Sequence, residues 1–357
     1  MIKNSLRRWI WLGLSAAVVG LIAYNLTKGG DWQTFSWNEL WVSVSSANPG
    51  YLLLAVLATY SSYLVRAYRW GFFLDPIKKA SLWVLFTGQI LGFSAIYLIG
   101  RPGEVVRPVY IAKKEGVSYT AMAAVWLLER IYDTIVIALL FSAALFWAPL
   151  ETVSEGAGSI LRAAHWVGLL VLLVTGVCVA LLVVFRLRAE TMELRTPRWL
   201  RFLSEDRQHH FERFLRSFAD GLGVIRNWKD LTASVVSTLL LWLVNVTFFW
   251  LVFRSMGGDI GDLTWMSAAL VLFSAIMGMM VQIPGIGGGF QVVVIKMMTA
   301  FMGVSLQDAT GASILLWVML AFPCALLGLV MLVKEGLSFK KLESMVEAKR
   351  AALQEKL

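Results

Sequence analysis

The chain has 357 residues, 58 % of them hydrophobic and only 15 % charged, and its mean hydropathy is +0.70. A soluble domain carries about 45–50 % apolar and about 25 % charged residues, so an ordinary soluble enzyme, a disordered tail and a disulfide-stapled secreted module are excluded. The net charge of +9 falls mostly in short loops beside apolar runs, where the positive-inside rule and anionic headgroups account for it without nucleic acid.

Apolar runs of about 20 residues predict helices crossing a bilayer, because lipid forces each segment to satisfy its own backbone polar groups. The first, about Trp9–Leu26, follows Lys3, Arg7 and Arg8. Further runs lie near Gly50–Gly71, Leu82–Ile99, Thr120–Trp147, Ala163–Phe185, Leu231–Phe253, Leu263–Ile283 and Gly311–Val333, with a shorter one at Gly287–Met302. The expected class is an all-α polytopic membrane protein with about 6–8 transmembrane helices. Residues 1–333 form one membrane domain and residues 334–357 a short tail.

Loop charges set the expected topology. The basic N-terminus and the loop with Lys78 and Lys79 lie inside, and the Thr27–Pro49 loop lies outside. A full crossing by Leu82–Ile99 would then put Arg101, Arg107, Lys113 and Lys114 outside, against the rule. A re-entrant hairpin over about 82–112, entering from the cytoplasm, removes the conflict. A cytoplasmic tail likewise requires 264–303 to contribute two crossings or a second hairpin entering from outside. One hairpin from each face is the arrangement of an inverted repeat, although no self-similarity is visible in the sequence. Both termini are then cytoplasmic. Ser204–Trp228, with Phe211, Phe214, Leu215, Phe218, Leu222 and Ile225 at helical spacing, reads as an interfacial helix on the cytoplasmic surface.

The strongest functional signal is Trp126-Leu-Leu-Glu129-Arg130-Ile-Tyr-Asp133 inside an apolar span. These charges lie roughly 15 Å along the helix from Thr120. Three charges at a helix centre cost about 8–10 kcal/mol, while a dozen large apolar residues return about 4–7 kcal/mol. They must therefore face one another or water. Glu129 and Asp133 share a face at i,i+4, and Arg130 reaches Asp133 at i,i+3. Arg66 and Arg69, also i,i+3, can point a positive face at the same place. Gly100-Arg101-Pro102-Gly103-Glu104 with Arg107 is an irregular, charged turn, since its prolines interrupt helical bonding and its glycines allow a sharp bend. Five arginines against three carboxylates leave an excess of positive charge, and arginine forks suit phosphate oxygens. A second break, Gln282-Ile-Pro284-Gly285-Ile-Gly287-Gly288-Gly289-Phe290-Gln291, can present backbone N–H groups and amide donors to an anion. Close packing of small residues is the alternative reading of that stretch.

At these motifs the chain resembles the lysylphosphatidylglycerol synthase transmembrane family, also called flippase-like integral membrane proteins. The matching pieces are Gly100-Arg101-Pro102-Gly103-Glu104 with Arg107, Glu129-Arg130 with Asp133, and Pro284-Gly285-Ile286-Gly287-Gly288, within a resemblance running from Leu6 to Val333. Where the family pattern continues into an acidic residue, this sequence has Gln291. Full-length synthases add a soluble aminoacyl-transfer domain, so with residues 334–357 alone after the last span, lipid aminoacylation by this chain is not expected. The resemblance implies movement of an anionic or polyprenyl-linked lipid between the leaflets of a bacterial inner membrane.

The expected substrate-binding set is Arg66, Arg69, Arg101, Glu104, Arg107, Glu129, Arg130, Asp133, Gln282, Pro284, Gly285, Gly287, Gly288 and Gln291. No catalytic residue, metal or cofactor is expected, nor a nucleic-acid partner. Membrane lipids are the expected partners, and a homo-oligomer is compatible with the pattern. The rival readings are a lipid-modifying transferase embedded in the membrane and a proton-coupled small-solute transporter using Glu129 or Asp133.

Overall fold

The computed structural model describes residues 36–147, isolated positions between 166 and 177, and residues 228–279, 282–283 and 287–336. The expected first span, most of the span at 163–185, the interfacial helix at 204–228 and most of the tail lie outside the described residues. Within the described residues the chain is helical apart from one two-residue strand pair.

Helix α1 (Trp37–Ser45) starts at Ser36, whose side chain accepts the Glu39 N–H. Helix α2 (Pro49–Leu74) opens on the Asn48 cap with proline at its first position, where a missing N–H costs nothing. Helix α3 (Leu82–Ile99), a 3-10 turn (Arg101–Val105) and α4 (Val106–Glu115) form a hairpin. It is followed by α5 (Tyr119–Trp147) and, further on, by α6 (Trp228–Met256) and the short α7 (Gly258–Gly261). A second hairpin comprises α8 (Trp265–Gly278), strands β1 (Gln282–Ile283) and β2 (Gly287–Gly288), and α9 (Gly289–Met302). Helix α10 (Leu306–Lys334) closes the described chain.

Four of these helices are long and apolar enough to cross a membrane: α2, α3, Thr232–Met256 of α6, and α10. Helix α5 is 29 residues long but carries Glu129, Arg130 and Asp133. The chain is thus an all-α, multi-pass membrane protein. Helices α8 and α9, with 14 residues each, reach about 21 Å, short of the roughly 30 Å hydrocarbon core. Helices α2, α5, α6 and α10 outrun their apolar runs by one to five residues at an end, whereas α8 and α9 fall short of theirs. Caps such as Asn48 and Ser305 lie in the polar flanks, and helix geometry continues until a cap ends it.

Contacts at the helix ends fix which loops lie together. Lys78 sits 3.7 Å from the Glu115 carboxylate, and Lys114 sits 2.5 Å from Glu335. The C-terminal ends of α2, α4 and α10 therefore share one end of the molecule. At the other end the Asn48 N–H donates to the Ser255 carbonyl (2.7 Å), and Ser43 donates to Asp308 (2.9 Å). That end collects the start of α2, the end of α6 and the start of α10. The α3–α4 hairpin thus begins and ends at one pole, and the α8–α9 hairpin begins and ends at the opposite one.

Close approach holds the first hairpin shut. A Cβ on Gly92 would lie 2.6 Å from the Arg107 Cβ, so only glycine lets α3 and α4 meet at that level. The apolar core runs from Trp70, Phe73 and Leu85 through Phe249 and Phe253 to Phe290 and Trp317. Ring contacts Phe249–Phe290 and Phe290–Trp317 tie α9 to α6 and α10.

Candidate functional site

Glu129, on α5 and fully buried, is the centre of the charged groups. Its Oε1 receives Arg69 Nη2 at 2.8 Å and lies 3.7 Å from Arg66 Nη1. Its Oε2 receives Arg107 Nη2 at 2.5 Å and Arg130 Nη2 at 3.2 Å. One helical turn on, Asp133 takes Arg69 Nη1 at 2.5 Å, Arg130 Nη2 at 3.4 Å and the Trp242 indole N–H at 3.1 Å. Glu104, at the end of the 3-10 turn, accepts the Trp126 indole N–H at 3.1 Å and lies 3.7 Å from Arg130 Nη1. Helix α2 supplies Arg66 and Arg69 from one face, as the i,i+3 spacing requires.

Seven of the sequence-predicted residues therefore form one network: Arg66, Arg69, Glu104, Arg107, Glu129, Arg130 and Asp133. Four guanidiniums face three carboxylates, leaving one positive charge in excess. Arg101 belongs elsewhere. Gly100 adopts φ +77°, which swings the chain away from α3, and Arg101 Nε donates to the Met279 carbonyl at the end of α8 (3.2 Å). Arg101 thus ties the first irregular stretch to the end of α8, three residues before Gln282. In the second stretch, Gln282 pairs with Gly288 and Ile283 with Gly287 in an antiparallel ladder. Pro284 and Gly285 lie outside the described residues, as do the side chain of Gln282 and the burial of Gly287. Gln291 is half-buried in the first turn of α9.

Several contributors carry no signal that a reading of local sequence detects. Gln89 accepts Arg107 Nη1 at 2.8 Å, and Thr238 accepts Arg69 Nη1 at 3.3 Å. Trp70 lies under the Arg107 guanidinium, 4.4 Å from ring centroid to Cζ, and Phe93 lies 5.0 Å from that of Arg66. Flat aromatic faces of this kind stabilise desolvated cations.

The network is rich in donors. Arg69 Nε, Arg130 Nε, Gln89 Nε2 and Trp70 Nε1 are buried with no hydrogen-bond partner among the described residues. Buried donors without acceptors are costly, so the site favours additional acceptor atoms. Since the carboxylate oxygens are already engaged by guanidiniums, the electrostatic preference is for an anion over a metal cation. Exposure is uneven: the Arg130 side chain is 38 % accessible, whereas Arg69 and Glu129 are completely enclosed.

A family profile described as the lysylphosphatidylglycerol synthase TM region matches residues 9–328, nearly the whole chain. The chain belongs to this family. None of the curated proteins matches it. Membership in the lysylphosphatidylglycerol synthase transmembrane family agrees with the apolar helices, and it ties this membrane protein to lipid-related processes.

Proposed function

We propose that the chain is a lipid translocase that holds a phosphate-bearing headgroup at the arginine–carboxylate network while the acyl chains stay in the bilayer. The observation that carries this reading is a network inside the membrane domain with excess positive charge, partnerless donors and one partly exposed guanidinium, Arg130. Charged side chains at membrane depth are costly and usually mark a substrate path. Guanidinium forks match the paired oxygens of phosphate.

In this reading Arg130 meets the headgroup, and Glu104, Glu129 and Asp133 set the guanidinium positions and keep anion binding reversible. The two hairpins, entering from opposite poles and joined at Arg101 and Met279, form the gates. The basic pole carrying Lys78, Lys79, Lys113 and Lys114 is cytoplasmic by the positive-inside rule, with both termini on that side of a bacterial inner membrane. No bond is made or broken in the lipid.

The test is translocation of fluorescent phosphatidylglycerol in phosphatidylcholine vesicles containing the protein, read by chemical quenching of the outer leaflet. The parent should expose or protect label at a rate that falls at least tenfold in Arg130→Gln and in Arg101→Ala. Parental rates in both variants, folded by size-exclusion profile, would overturn the assignment. A chemically altered lipid after incubation would point to a transferase, and proton-driven uptake of a soluble solute to a transporter.

A further inference from the structure

We infer that Arg130 and Glu104 form an ion-exchange pair. Arg130 is the guanidinium that takes the phosphate, and Glu104 is the internal carboxylate that the phosphate displaces. This rests on the headgroup-binding reading above and adds which residues move.

The four arginines are not equivalent. Arg69 has both terminal nitrogens on carboxylates and no exposed surface. Arg107 is held by Glu129 and Gln89 and lies on the Trp70 ring. Arg66 is enclosed between Glu129 and Phe93. Withdrawing Arg69 or Arg107 toward a ligand would strip a buried carboxylate of its shortest partner, which the low-dielectric interior opposes.

Arg130 differs on each count. Its side chain is the most accessible of the four, and its three carboxylate contacts, 3.2, 3.4 and 3.7 Å, are longer than the 2.5 Å contacts that hold Arg69 and Arg107, while Arg66, at 3.7 Å from Glu129, is enclosed. Its Nε has no partner among the described residues. Glu129 keeps Arg107 and Arg69 if Arg130 turns away, and Asp133 keeps Arg69 and Trp242. Glu104 is 21 % accessible and retains the Trp126 indole when Arg130 leaves it. Exchange therefore strands no carboxylate.

The exchange also reaches the gate. Glu104 and Arg101 sit on the same five-residue 3-10 turn, and Arg101 is bonded to the end of α8. Freeing Glu104 from Arg130 leaves the turn tied to α5 through Trp126 and to the second hairpin through Arg101. Arrival of an anion at Arg130 is thereby communicated to the hairpin junction. The ligand class is a phosphate monoester or diester, because two oxygens on one phosphorus can engage both ends of the fork, which no single carboxylate does at Arg130.

The experiment measures binding of fluorescent phosphatidylglycerol to the full chain in phosphatidylcholine nanodiscs, with diacylglycerol bearing the same label as the uncharged control. Glu104→Gln removes the competing charge but keeps an acceptor for Trp126, and should tighten phosphatidylglycerol binding about fivefold, the order expected for a partly exposed ion pair. Arg130→Gln should abolish the preference over diacylglycerol. The double variant should match Arg130→Gln alone. Should Arg130→Gln not fold, Arg130→Lys keeps the charge without the fork and should weaken binding in the same assay. Unchanged affinity in Glu104→Gln, or equal tightening in the Arg130→Gln background, overturns the exchange. Displacement of the labelled lipid by millimolar inorganic phosphate overturns a lipid source and assigns the site to free phosphate. Tight, Arg130-dependent binding without translocation would retain the exchange pair and discard the translocase. Translocation at the parental rate in Glu104→Gln, with phosphatidylglycerol affinity unchanged as well, would do the reverse.

Discussion

Arg107 lies across Glu129 with both ends of its guanidinium, Nη2 2.5 Å from Oε2 and Nη1 3.2 Å from Oε1, and both residues are buried. The pair joins α4 of the first hairpin to the charged level of α5. Removing one member of a buried pair leaves the other uncompensated, at a cost of about 3–5 kcal/mol. Glu129 is the partner of four arginines, whereas Arg107 is one of four around Glu129. Glu129→Gln should therefore lower the apparent Tm in detergent more than Arg107→Met. An equal or smaller effect would mean that the network does not hold these helices together.

Gly92 sets how closely α4 approaches α3. Gly92→Ala would place its Cβ 2.6 Å from the Arg107 Cβ. The helices must separate or Arg107 must shift, a strain of about 1–3 kcal/mol. The expected result is a lower apparent Tm together with weakened phosphatidylglycerol binding, since Arg107 is displaced from Glu129. A Tm and affinity both equal to the parent would show that the hairpin has slack at this level.

Much of this arrangement is legible in the sequence because its signals are local. Runs of apolar residues mark the helices, and i,i+4 spacing puts Glu129 and Asp133 on one face. The i,i+3 pairing of Arg130 with Asp133 is present at 3.4 Å. The charge conflict around Arg101 and Lys114 leads to the expected hairpin over 82–112; the chain does fold back there, with Lys114 beside the end of α10, while α3 is itself long and apolar enough to cross. What is not legible comes from distant elements. Gln89, Trp242 and Thr238 join the network across 18 to 169 positions, with no period or motif to mark them. Arg101 is bonded to a backbone carbonyl, which no residue type advertises. The short helix Trp37–Ser45 sits in what reads as a loop, because none of its residues is buried and its nine residues are too few for a clear period.

Trp242 donates its indole N–H to Asp133 Oδ1 at 3.1 Å, and its ring lies 6.3 Å from that of Phe273. Trp242→Phe keeps most of the packing and removes the donor. A hydrogen bond to a charged acceptor contributes about 1.5–3 kcal/mol, so the variant should unfold at a lower temperature than the parent. Asp133 retains Arg69, so the loss should be smaller than for Glu129→Gln. The same thermal scans rank the two, and a larger loss for Trp242→Phe would place the anchoring of Asp133 on the indole.

At the basic pole, the Lys114 ammonium bonded to Glu335 holds that carboxyl below its ordinary value of 4.5. A carboxyl whose folded pKa is depressed contributes stability above its unfolded pKa and loses it as pH falls through the folded value. The link between α4 and α10 is therefore complete at pH 7 and weakens as the pH drops below about 4.5. Lys114 is about half exposed, so the contribution is about 1 kcal/mol or less and is screened by salt. Thermal scans of the parent and Lys114→Met from pH 7 to pH 3 should show a small Tm gap at neutral pH that closes on acidification and shrinks in high salt. A gap that persists unchanged at pH 3 would attribute the effect of Lys114 to packing over Tyr110, whose ring centroid lies 6.0 Å from its Nζ, and not to the ion pair.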